Sequence, residues 1–357
     1  MKYKLGEIFE VGSGGTPSKN HPEYYGGSIP WIKTGDLKCE YLYEAEDYIT
    51  EDGLNNSSAK MYPSDTVLIA MYGATIGATS ILKIDACTNQ ACAAFKKNEK
   101  VIPEYLYYFF KSQKKKFIKD GVGGAQPNIS AGYLKNVEME VPTIERQAEV
   151  VDVLDKVNRV IEQRESELEE LANLIKSRFV EMFGDPIRNT QNRPTTDFVN
   201  VVKMQRGFDL PVQDRQQNGN IAVFGSNGAL DRHNIAKVQG GGVITGRSGT
   251  IGKVYYTEED YWPLNTSLFS VDMHGNNIIY LAYLLQMYDL SRFTEGTGVP
   301  TLNRNKFHNK PIINVSLSEQ EEFAAFVHQV DKFKFKVEKS LNETQQLFDS
   351  LMQKYFG

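Results

Sequence analysis

The sequence predicts an α+β fold in which two β-rich domains, related by pseudo-twofold symmetry, are joined by two long helices. Three observations lead to this prediction. The chain has 357 residues, more than the roughly 100–200 residues of one ordinary domain. Several segments recur in the same order, about 173 residues apart. Each copy ends in a long stretch with apolar residues at heptad spacing, which is typical of paired helices.

The repeat covers most of the chain. Three single-residue matches share one offset: Gln147 with Gln320, Phe183 with Phe356, and Pro127 with Pro300. Two runs match at a similar offset: YLYYFF (105–110) with YLAYLL (280–285), and ATIGATSI (74–81) with GTIGKVYY (249–256). When the alignment of the second pair of runs is extended two residues upstream, it pairs Tyr72 with Arg247. Because this period is far longer than the roughly 20–50 residues of solenoid repeats, it indicates duplication of a whole domain and its helix.

The two β-rich domains are predicted over residues 1–143 and 185–316. Both contain short apolar runs bounded by turn residues, which are typical of buried strands. One helix is expected inside each domain, around residues 103–119 and around 278–292. Pro103 supports the first of these helices because proline is favourable at a helix start.

Residues 144–184 and 317–357 are predicted to be a central and a C-terminal spacer helix. At 1.5 Å per residue each would be roughly 60 Å long. The expected N-cap is Thr143 for the first helix and Ser316 or Ser318 for the second. The candidate helix-pairing residues are Val150, Val153, Val157, Val160, Leu171, Leu174, Phe323, Phe326, Val330, Phe333, Val337 and Leu351. An alternative, in which each helix packs only on its own domain, stays open.

Composition excludes several classes of protein. Hydrophobic residues make up 41% of the chain and charged residues 24%, which is the balance of a folded globular protein. The sequence contains no run of 18 apolar residues, so no membrane span is predicted. The first ten residues lack the apolar core of a secretory signal. Cys39, Cys87 and Cys92 contain no CxxC pair, so we expect neither a disulfide framework nor a zinc ribbon. This cysteine usage suits the reducing cytoplasm.

The net charge of −5 hides an uneven distribution. Residues 1–143 carry 16 lysines, 17 acidic residues and no arginine. Residues 184–316 carry 13 basic and 11 acidic residues, and arginine outnumbers lysine there. The two helical segments are acidic. Each β-rich domain can therefore present a basic face although the whole chain is acidic.

The sequence contains no catalytic motif. It lacks the Asn-Pro-Pro-aromatic and Asp-Pro-Pro-aromatic motifs of adenine methyltransferases, and GTIGKV (249–254) lacks the hydroxyl residue of a phosphate-binding loop. The five histidines have no metal-ligand spacing. An acidic residue near a lysine, such as Asp65 near Lys83, is too common a combination to indicate a nuclease site. No constellation of residues therefore indicates a catalytic site, a metal site or a cofactor site.

Several stretches resemble one known family. The opening VGSGGTPSKNHPEYYGGSIPWIKTGDL (11–37) is similar to the start of a target-recognition domain in the specificity subunit of type I restriction–modification systems. RGFDLP (206–211) and NIAVFGSNGAL (220–230) resemble another type of the same domain. IERQAEVVDVLDKV and LSEQEEFAAFVHQV resemble the two spacer segments of that family. The resemblance covers essentially the whole chain, which is short for the family.

The resemblance implies a non-catalytic subunit that recognises double-stranded DNA. In that family each recognition domain reads one half of a bipartite site, and two antiparallel coiled-coil helices hold the domains apart. Two modification subunits bind S-adenosylmethionine and methylate an adenine that is flipped out of each half-site. Restriction subunits use ATP for translocation and cleavage. The resemblance therefore assigns both cofactors to partner subunits.

Three other functions stay open at this point. The first is a specificity subunit of a modification-only or type II system that lacks a separate restriction subunit. The second is an enzyme with an unrecognised active site, which methylation or cleavage of DNA by the purified chain would support. The third is a structural or host-interaction protein without a role on DNA. Failure to form a methyltransferase complex would favour the third.

Polar residues in glycine-flanked loops are the candidates for DNA contact, because base edges are read by donors and acceptors in the major groove. The candidates in the first domain are Lys33, Thr34, Tyr72, Thr75, Gln126 and Asn128. Those in the second are Arg206, Ser226, Asn227, Arg247, Ser248, Lys253, Asn303 and Arg304. Lys114, Lys115 and Lys116 are expected on a helix and suit phosphate contacts, and the alternative that they are solvated surface lysines stays open. Without arginine, the first domain is predicted to read bases through Lys, Asn, Gln and hydroxyl groups.

Overall fold

The computed structural model of the protein describes residues 1–121, 128–295 and 300–357. The chain divides into two compact units. Unit 1 consists of Met1–Gln163 and Ser340–Gly357, and unit 2 consists of Arg164–Lys339. Each unit therefore combines a β-rich stretch with one segment from each of two long helices. Helices and sheets occur in both units, which confirms the predicted α+β class.

Unit 1 contains two main sheets. Its strands are β1 (Lys2–Lys4), β2 (Val11–Ser13), β3 (Tyr25–Ile32), β4 (Tyr41–Leu42), β5 (Asp47–Ile49), β6 (Met61–Tyr62), β7 (Val67–Ala70), β8 (Thr79–Leu82), β9 (Ala86–Thr88), β10 (Cys92–Phe95) and β11 (Glu138–Glu140). The order β2-β10-β7-β8-β4 forms a five-stranded sheet, and β5-β3-β9-β6 forms a four-stranded sheet. Strands β1 and β11 pair separately and antiparallel.

Four helices accompany the sheets of unit 1: α1 (Leu5–Ile8), α2 (Glu51–Asn55), α3 (Pro103–Asp120) and α4 (Ala131–Lys135). Helix α3 packs on β7 and β8. Its aromatic run is buried there, with Tyr108 and Phe110 both 0% exposed. It starts with Pro103, where the missing N–H costs no hydrogen bond. The predicted helix around residues 103–119 is confirmed to within one residue.

Unit 2 repeats this plan with its own strands. They are β12 (Thr195–Asp197), β13 (Lys203–Arg206), β14 (Ile221–Gly225), β15 (Gly228–His233), β16 (Gly242–Gly246), β17 (Val254–Thr257), β18 (Tyr261–Pro263), β19 (Ser267–Asp272), β20 (Thr294–Glu295), β21 (Thr301–Leu302) and β22 (Pro311–Ile313). The order β13-β19-β16-β17 forms one sheet and β15-β14-β18 another. Strands β12 and β22 form a separate antiparallel pair, as β1 and β11 do in unit 1.

The helices of unit 2 are α6 (Phe198–Val201) and α7 (Ile278–Tyr288), and α7 packs on β16 and β17. Helix α7 is shorter than predicted, because it ends at Tyr288 and not near residue 292. Asp289 takes a left-handed backbone conformation with φ 51°, and its carboxylate accepts the N–H of Ser291 at 3.1 Å. This local hydrogen bond replaces the α-helical pattern by a 3₁₀ turn, Leu290–Phe293.

The two long helices are α5 (Ile144–Phe183) and α8 (Leu317–Phe356). Ser316 caps α8, since its N–H donates to Glu319 Oε2 at 3.1 Å and its Oγ lies 3.4 Å from the Glu319 N–H. The two bonds form a capping box. Thr143 Oγ1 accepts the N–H of Arg146 at 3.4 Å at the start of α5. Both N-cap predictions are confirmed, with Ser316 and not Ser318 as the cap.

The start of each long helix packs beside the end of the other, which makes the pair antiparallel. In unit 1, Val150 and Leu154 of α5 share a core with Phe348 of α8, near its C-terminus. In unit 2, Phe179 of α5 meets Phe323 of α8, with ring centroids 5.5 Å apart. The β-rich part of each unit contributes to the same cores. The helices therefore pack both on each other and on the sheets.

The buried stripe of α5 differs from the predicted one. Leu154 and Ile161 are 0% and 7% exposed, whereas Val160 is 39% exposed and Val153 is half-buried. Neighbouring residues on an α-helix point about 100° apart, so Val153 and Val160 are turned away from the direction in which Leu154 and Ile161 face the core. Among the other predicted pairing residues, Val150, Phe323 and Val330 are buried, and Val157, Leu171, Phe326, Val337 and Leu351 are half-buried.

Two further predicted pairing residues lie at the surface of unit 2. Leu174 is 48% exposed and Phe333 is 59% exposed. They line a shallow cavity together with Leu171 and Val337, so the helices are less tightly packed there than at Phe179. Within the described residues, the buried side chains of both helices are concentrated toward the helix ends, where the sheets add a third packing surface.

A buried glutamine performs the same task in both units. Gln147 in α5 accepts the N–H of Ile102, directly before α3, at 3.0 Å. Gln320 in α8 accepts the N–H of Asn277, directly before α7, at 2.8 Å. Both glutamines also donate to nearby backbone carbonyls and are at most 1% exposed. Each glutamine thus attaches a long helix to the start of the packed helix of its unit.

No helix within the described residues is both long and apolar enough to cross a membrane. In the same part of the chain, no group of three or more His, Cys, Asp or Glu side chains is placed to hold a metal ion.

Candidate nucleic-acid interface

The first polar loop of interest joins β7 to β8 and consists of residues 71–78; we call it loop 1. Its first residue, Met71, accepts the N–H of Ile129 at 2.9 Å through its carbonyl oxygen. The next residue, Tyr72, forms an isolated antiparallel bridge with Asn128. Loop 1 is therefore held beside the segment that precedes helix α4. This arrangement brings two predicted DNA-contacting residues, Tyr72 and Asn128, together.

The equivalent loop of unit 2 joins β16 to β17 and consists of residues 247–253; we call it loop 2. Its first residue, Arg247, accepts the N–H of Leu302 at 2.8 Å through its carbonyl oxygen. The next residue, Ser248, forms an isolated antiparallel bridge with Thr301. The hydrogen-bond pattern of loop 1 is therefore repeated, with other side chains at the bridging positions.

The structure corrects the sequence alignment of these loops. Tyr72 was expected to correspond to Arg247, whereas the hydrogen bonds equate Tyr72 with Ser248 and Met71 with Arg247. Loop 2 is one residue shorter than loop 1. An alignment that matches Gly77 with Gly252 near the ends of the loops is therefore displaced by one residue at their starts. The difference matters because Met71 is buried while Arg247 is half-buried beside a cleft.

Other predicted residues of unit 1 lie in two places. In loop 1, Tyr72 is 43% exposed, and the Thr75 hydroxyl donates to the Tyr72 carbonyl at 3.2 Å. Thr34 begins a 3₁₀ turn after β3, in the four-stranded sheet, whereas loop 1 belongs to the five-stranded one. Asn128 is exposed. Gln126 lies outside the described residues.

Lys33 is engaged within unit 1. Its ammonium group forms an ion pair with the Asp47 carboxylate and lies 6.0 Å from the centroid of the Trp31 ring. The hydrogen bond to Asp47 raises the pKa of Lys33, so the side chain is a cation. A base contact by Lys33 would have to replace this ion pair.

Lys114 of helix α3 lies against loop 1. A Cβ atom added at Gly77 would come within 3.0 Å of the Lys114 Cγ, and Gly77 has the left-handed φ of 77°. A side chain at this position would therefore be strained and crowded. Lys115 and Lys116 follow as exposed residues on the same helix. The predicted phosphate-contacting lysines therefore begin directly beside loop 1.

In unit 2 the turn between β14 and β15 lies against loop 2. Asn227 Oδ1 accepts from Lys253 Nζ at 3.4 Å, so these two predicted residues are in contact. Ser226 lies beside them, since a Cβ at Gly246 would be 3.1 Å from the Ser226 carbonyl oxygen and 1.7 Å from the Thr250 carbonyl oxygen. Only glycine permits this approach of the two backbones.

The remaining predicted residues of unit 2 meet in a cleft of about 460 Å³. We call it the arginine cleft; its lining residues are Arg206, Arg247, Leu268, Glu295, Thr301, Leu302, Asn303, Arg304 and Asn305. Glu295 is paired with Lys306 at 2.7 Å. Asn303 Oδ1 accepts the N–H of Asn305 at 3.1 Å and caps a 3₁₀ turn, which leaves its amide N–H groups for other partners. The cleft is therefore strongly basic.

Sequence reasoning missed Asn305 and Glu295 in this cleft. It also missed His308, whose Nε2 accepts the N–H of Met204 at 3.2 Å and is therefore unprotonated. Burial, Arg304 and Lys203 lower the pKa of His308. For Asn305 and His308 the available signal was their proximity in the sequence to Asn303 and Arg304, whereas Glu295 lies eight residues before Asn303. This proximity does not distinguish lining residues from their neighbours.

The comparison with protein families gives one match that covers most of the chain. Residues 1–173 and 188–346 match the type I restriction modification DNA specificity domain. The match thus occurs twice, in agreement with the internal repeat.

Three curated relatives are specificity subunits of type I restriction enzymes. The MjaIX subunit of Methanocaldococcus jannaschii is 35% identical over 195 residues, which is 53% of this chain and 45% of the relative. The EcoR124I/EcoR124II subunit of Escherichia coli is 32% identical over 158 residues, or 43% of this chain and 39% of the relative. The EcoprrI subunit of Escherichia coli is 20% identical over 92% of this chain and 86% of the relative. The alignments with the first two span less than half of those relatives.

Solved structures share the fold. The S subunit of a type I restriction–modification system from M. genitalium superposes with a TM-score of 0.61 at 15% identity, over 100% of this chain and 96% of that one. A chain from a study of complex assembly and conformational transition in the type I R-M system gives 0.62 at 16% identity, over 100% and 97%. These likenesses concern the fold. The two family matches, which together cover more than half of the sequence, show that the chain belongs to the type I restriction modification DNA specificity domain family.

Proposed function

We propose that this chain is the DNA-recognition subunit of a type I restriction–modification complex, with each unit reading one half of a bipartite site. The observation that carries the proposal is the pair of equivalent loops. Loop 1 and loop 2 share their backbone hydrogen bonds but present different side chains. Two readers of different sequences need such an arrangement, because the frame is held constant while the base-contacting groups vary.

The surroundings of both loops suit double-stranded DNA. Lys114 lies beside loop 1, and the arginine cleft lies beside loop 2. Lysine and arginine neutralise phosphates and so supply the sequence-independent part of the affinity. Amide and hydroxyl groups of Asn128, Ser248 and Asn227 can then bond to base edges in the groove.

We further propose that catalysis belongs to partner subunits. Two modification subunits would bind S-adenosylmethionine and methylate a flipped adenine in each half-site, and restriction subunits would use ATP to translocate and cut. This division of labour is supported by the match to a DNA specificity domain and by the similarity to a specificity subunit of a type I restriction enzyme. In this proposal the antiparallel pair α5 and α8 connects the two readers, and its exposed acidic faces contact the modification subunits.

The test is the methylated sequence in a host that contains the chain and its modification subunits and has no other adenine methylation. We expect one bipartite motif in sequenced genomic DNA. Asn128→Ala should relax only one half-site and Ser248→Ala only the other, because each side chain belongs to the isolated bridge of a different unit. Each lost base contact should reduce discrimination by about 1–3 kcal/mol for a two-pronged contact and less for a single hydroxyl.

Asn173→Ala, an exposed change on α5, is the matched control and should leave the motif unchanged. A motif without two separate halves would contradict the proposal. Relaxation of both halves by one loop variant would contradict it as well.

A further inference from the structure

The arginine cleft holds an unusual concentration of arginines without acidic partners. Among the described residues, no carboxylate forms a salt bridge with Arg206, Arg247 or Arg304. Three arginines elsewhere in unit 2 are paired with carboxylates: Arg178 with Glu322 at 2.9 Å, Arg193 with Glu319 at 2.7 Å and Arg215 with Asp231 at 3.4 Å. The single carboxylate that lines the cleft, that of Glu295, already holds Lys306. The cleft therefore has uncompensated positive charge.

Arg247 is the best positioned of the three. Its N–H donates to the Thr266 carbonyl at 2.8 Å, and its carbonyl accepts the N–H of Leu302 at 2.8 Å. Its Nη1 donates to the Asn265 carbonyl at 3.4 Å. A guanidinium carries five N–H donors, so most of them remain for a ligand. Arg247 thus combines a fixed backbone with a free planar fork.

A guanidinium fork carried by a fixed backbone is suited to one base. Guanine presents O6 and N7 as two adjacent acceptors in the major groove, and a two-pronged bond from arginine is the commonest specific contact with it. Such a contact requires the arginine to be held in place by its surroundings. Arg206 is exposed at the end of β13, which suits a phosphate contact better than base reading.

We propose that the arginine cleft is a guanine-reading site, in which Arg247 donates two hydrogen bonds to the O6 and N7 of a guanine in the half-site read by unit 2. This inference rests on the proposed DNA-recognition function. It also sets the two units apart, because residues 1–143 contain no arginine and cannot make the same contact. The half-site of unit 1 is then read without an arginine–guanine contact from its own β-rich domain.

The experiment compares the methylated motif of complexes that contain the wild-type chain, Arg247→Ala, Arg247→Lys or Arg232→Ala. Replacing residues 1–143 by those of another family member first identifies which half-site belongs to unit 2. We expect that half-site to contain a G·C pair. Arg247→Ala should accept other bases at that position, with discrimination reduced roughly 5- to 150-fold.

Arg247→Lys keeps the charge but loses the planar fork, so we expect an intermediate loss of discrimination. It also serves where the alanine variant fails to assemble. Arg232→Ala is the matched control, because Arg232 is an exposed arginine of unit 2 outside the cleft and has no salt bridge within the described residues. It should leave the motif unchanged.

Three outcomes would overturn the inference. The first is a unit 2 half-site without a G·C pair. The second is an unchanged motif in Arg247→Ala. The third is uniformly weaker binding to all duplexes with a salt slope lower by about 1, restored by lysine, which would mean a phosphate contact. Absence of any methylated motif with the wild-type chain would instead contradict the proposed function.

Discussion

Units 1 and 2 agree in their framework and differ in their polar surface. Both attach a long helix through a buried glutamine, and both fix a polar loop by the same backbone hydrogen bonds. At the bridging position, however, unit 1 has Tyr72 and unit 2 has Ser248. The framework depends on buried contacts, which tolerate little change, whereas exposed side chains are free to vary. A duplicated reader can therefore acquire a second specificity without altering its fold.

The framework itself is not identical at the ends of the long helices. Phe183 ends α5 fully buried among Phe179, Phe323 and Tyr280 in unit 2. Its repeat partner Phe356 ends α8 half-buried against Tyr105 and Phe109 in unit 1. Equivalent sequence positions therefore differ in how deeply their side chains are buried.

The largest expected effect is on this pair. Phe183→Ala should lower the free energy of unfolding of unit 2 by about 3–5 kcal/mol, because it leaves a cavity in a closed core. Phe356→Ala should cost clearly less in unit 1. Each unit has one tryptophan, so denaturant unfolding can be followed through Trp262 in a Trp31→Phe background, and through Trp31 in a Trp262→Phe background. Equal losses would show that the two helix ends are energetically equivalent.

A smaller effect tests the shared attachment. Gln147→Ala and Gln320→Ala each remove the hydrogen-bond partner of a buried N–H, which should cost about 1–3 kcal/mol. The same tryptophan reporters assign each loss to its own unit. Gln329→Ala, an exposed glutamine on α8, is the control and should change stability by less than about 0.5 kcal/mol. A loss in only one unit would mean that the repeat does not use its glutamines alike.

The smallest effect is the dependence of stability on pH that His308 gives to unit 2. Burial lowers the pKa of His308, so the unfolded chain binds a proton more readily than the folded one. The stability that this histidine contributes is therefore present above about pH 6.5 and decreases as the pH falls below it. Protonation removes the acceptor of the Met204 N–H, which is worth about 0.5–1.5 kcal/mol.

The measurement for His308 is denaturant unfolding between about pH 7.5 and pH 5, followed through Trp262. His308→Gln should flatten the dependence on pH. The repeat position in unit 1 is Lys135, so the Trp31 transition should show no matching change. An equally steep dependence in the His308→Gln variant would assign the effect to another group.

Sequence patterns were most informative for the helices and for the repeat. Thr143 is predicted as the cap of one long helix and Ser316 or Ser318 as the cap of the other, since cap residues act on backbone groups only a few positions away. The heptad pattern located both long helices. It did not decide between Val153 and Leu154, or between Val160 and Ile161, because both members of each pair are apolar. The exposed Phe333 shows that apolar character at a heptad position does not ensure burial.

The candidate interface was predicted only in part. Arg247, Ser248 and Lys253 of loop 2 are predicted from glycine-flanked polar runs, as are Arg206 and Arg304. The structure brings Arg206, Arg247 and Arg304 together at one cleft. Lys33 was also selected, yet the structure gives it an ion pair with Asp47. An ion pair between residues 14 positions apart leaves no periodic pattern in the sequence, so only coordinates reveal it.

By itself the sequence determined the duplication and the two long helices. It also determined that, of the two β-rich domains, only the second contains arginine. These follow from composition, spacing and local backbone preferences, which act over short distances along the chain. The tertiary structure decided that Arg247 is equivalent to Met71 and not to Tyr72, and that Arg247 lines one cleft with Arg206 and Arg304. The reason is that strand pairing and a one-residue difference in loop length set which side chains converge, and both depend on contacts between distant segments.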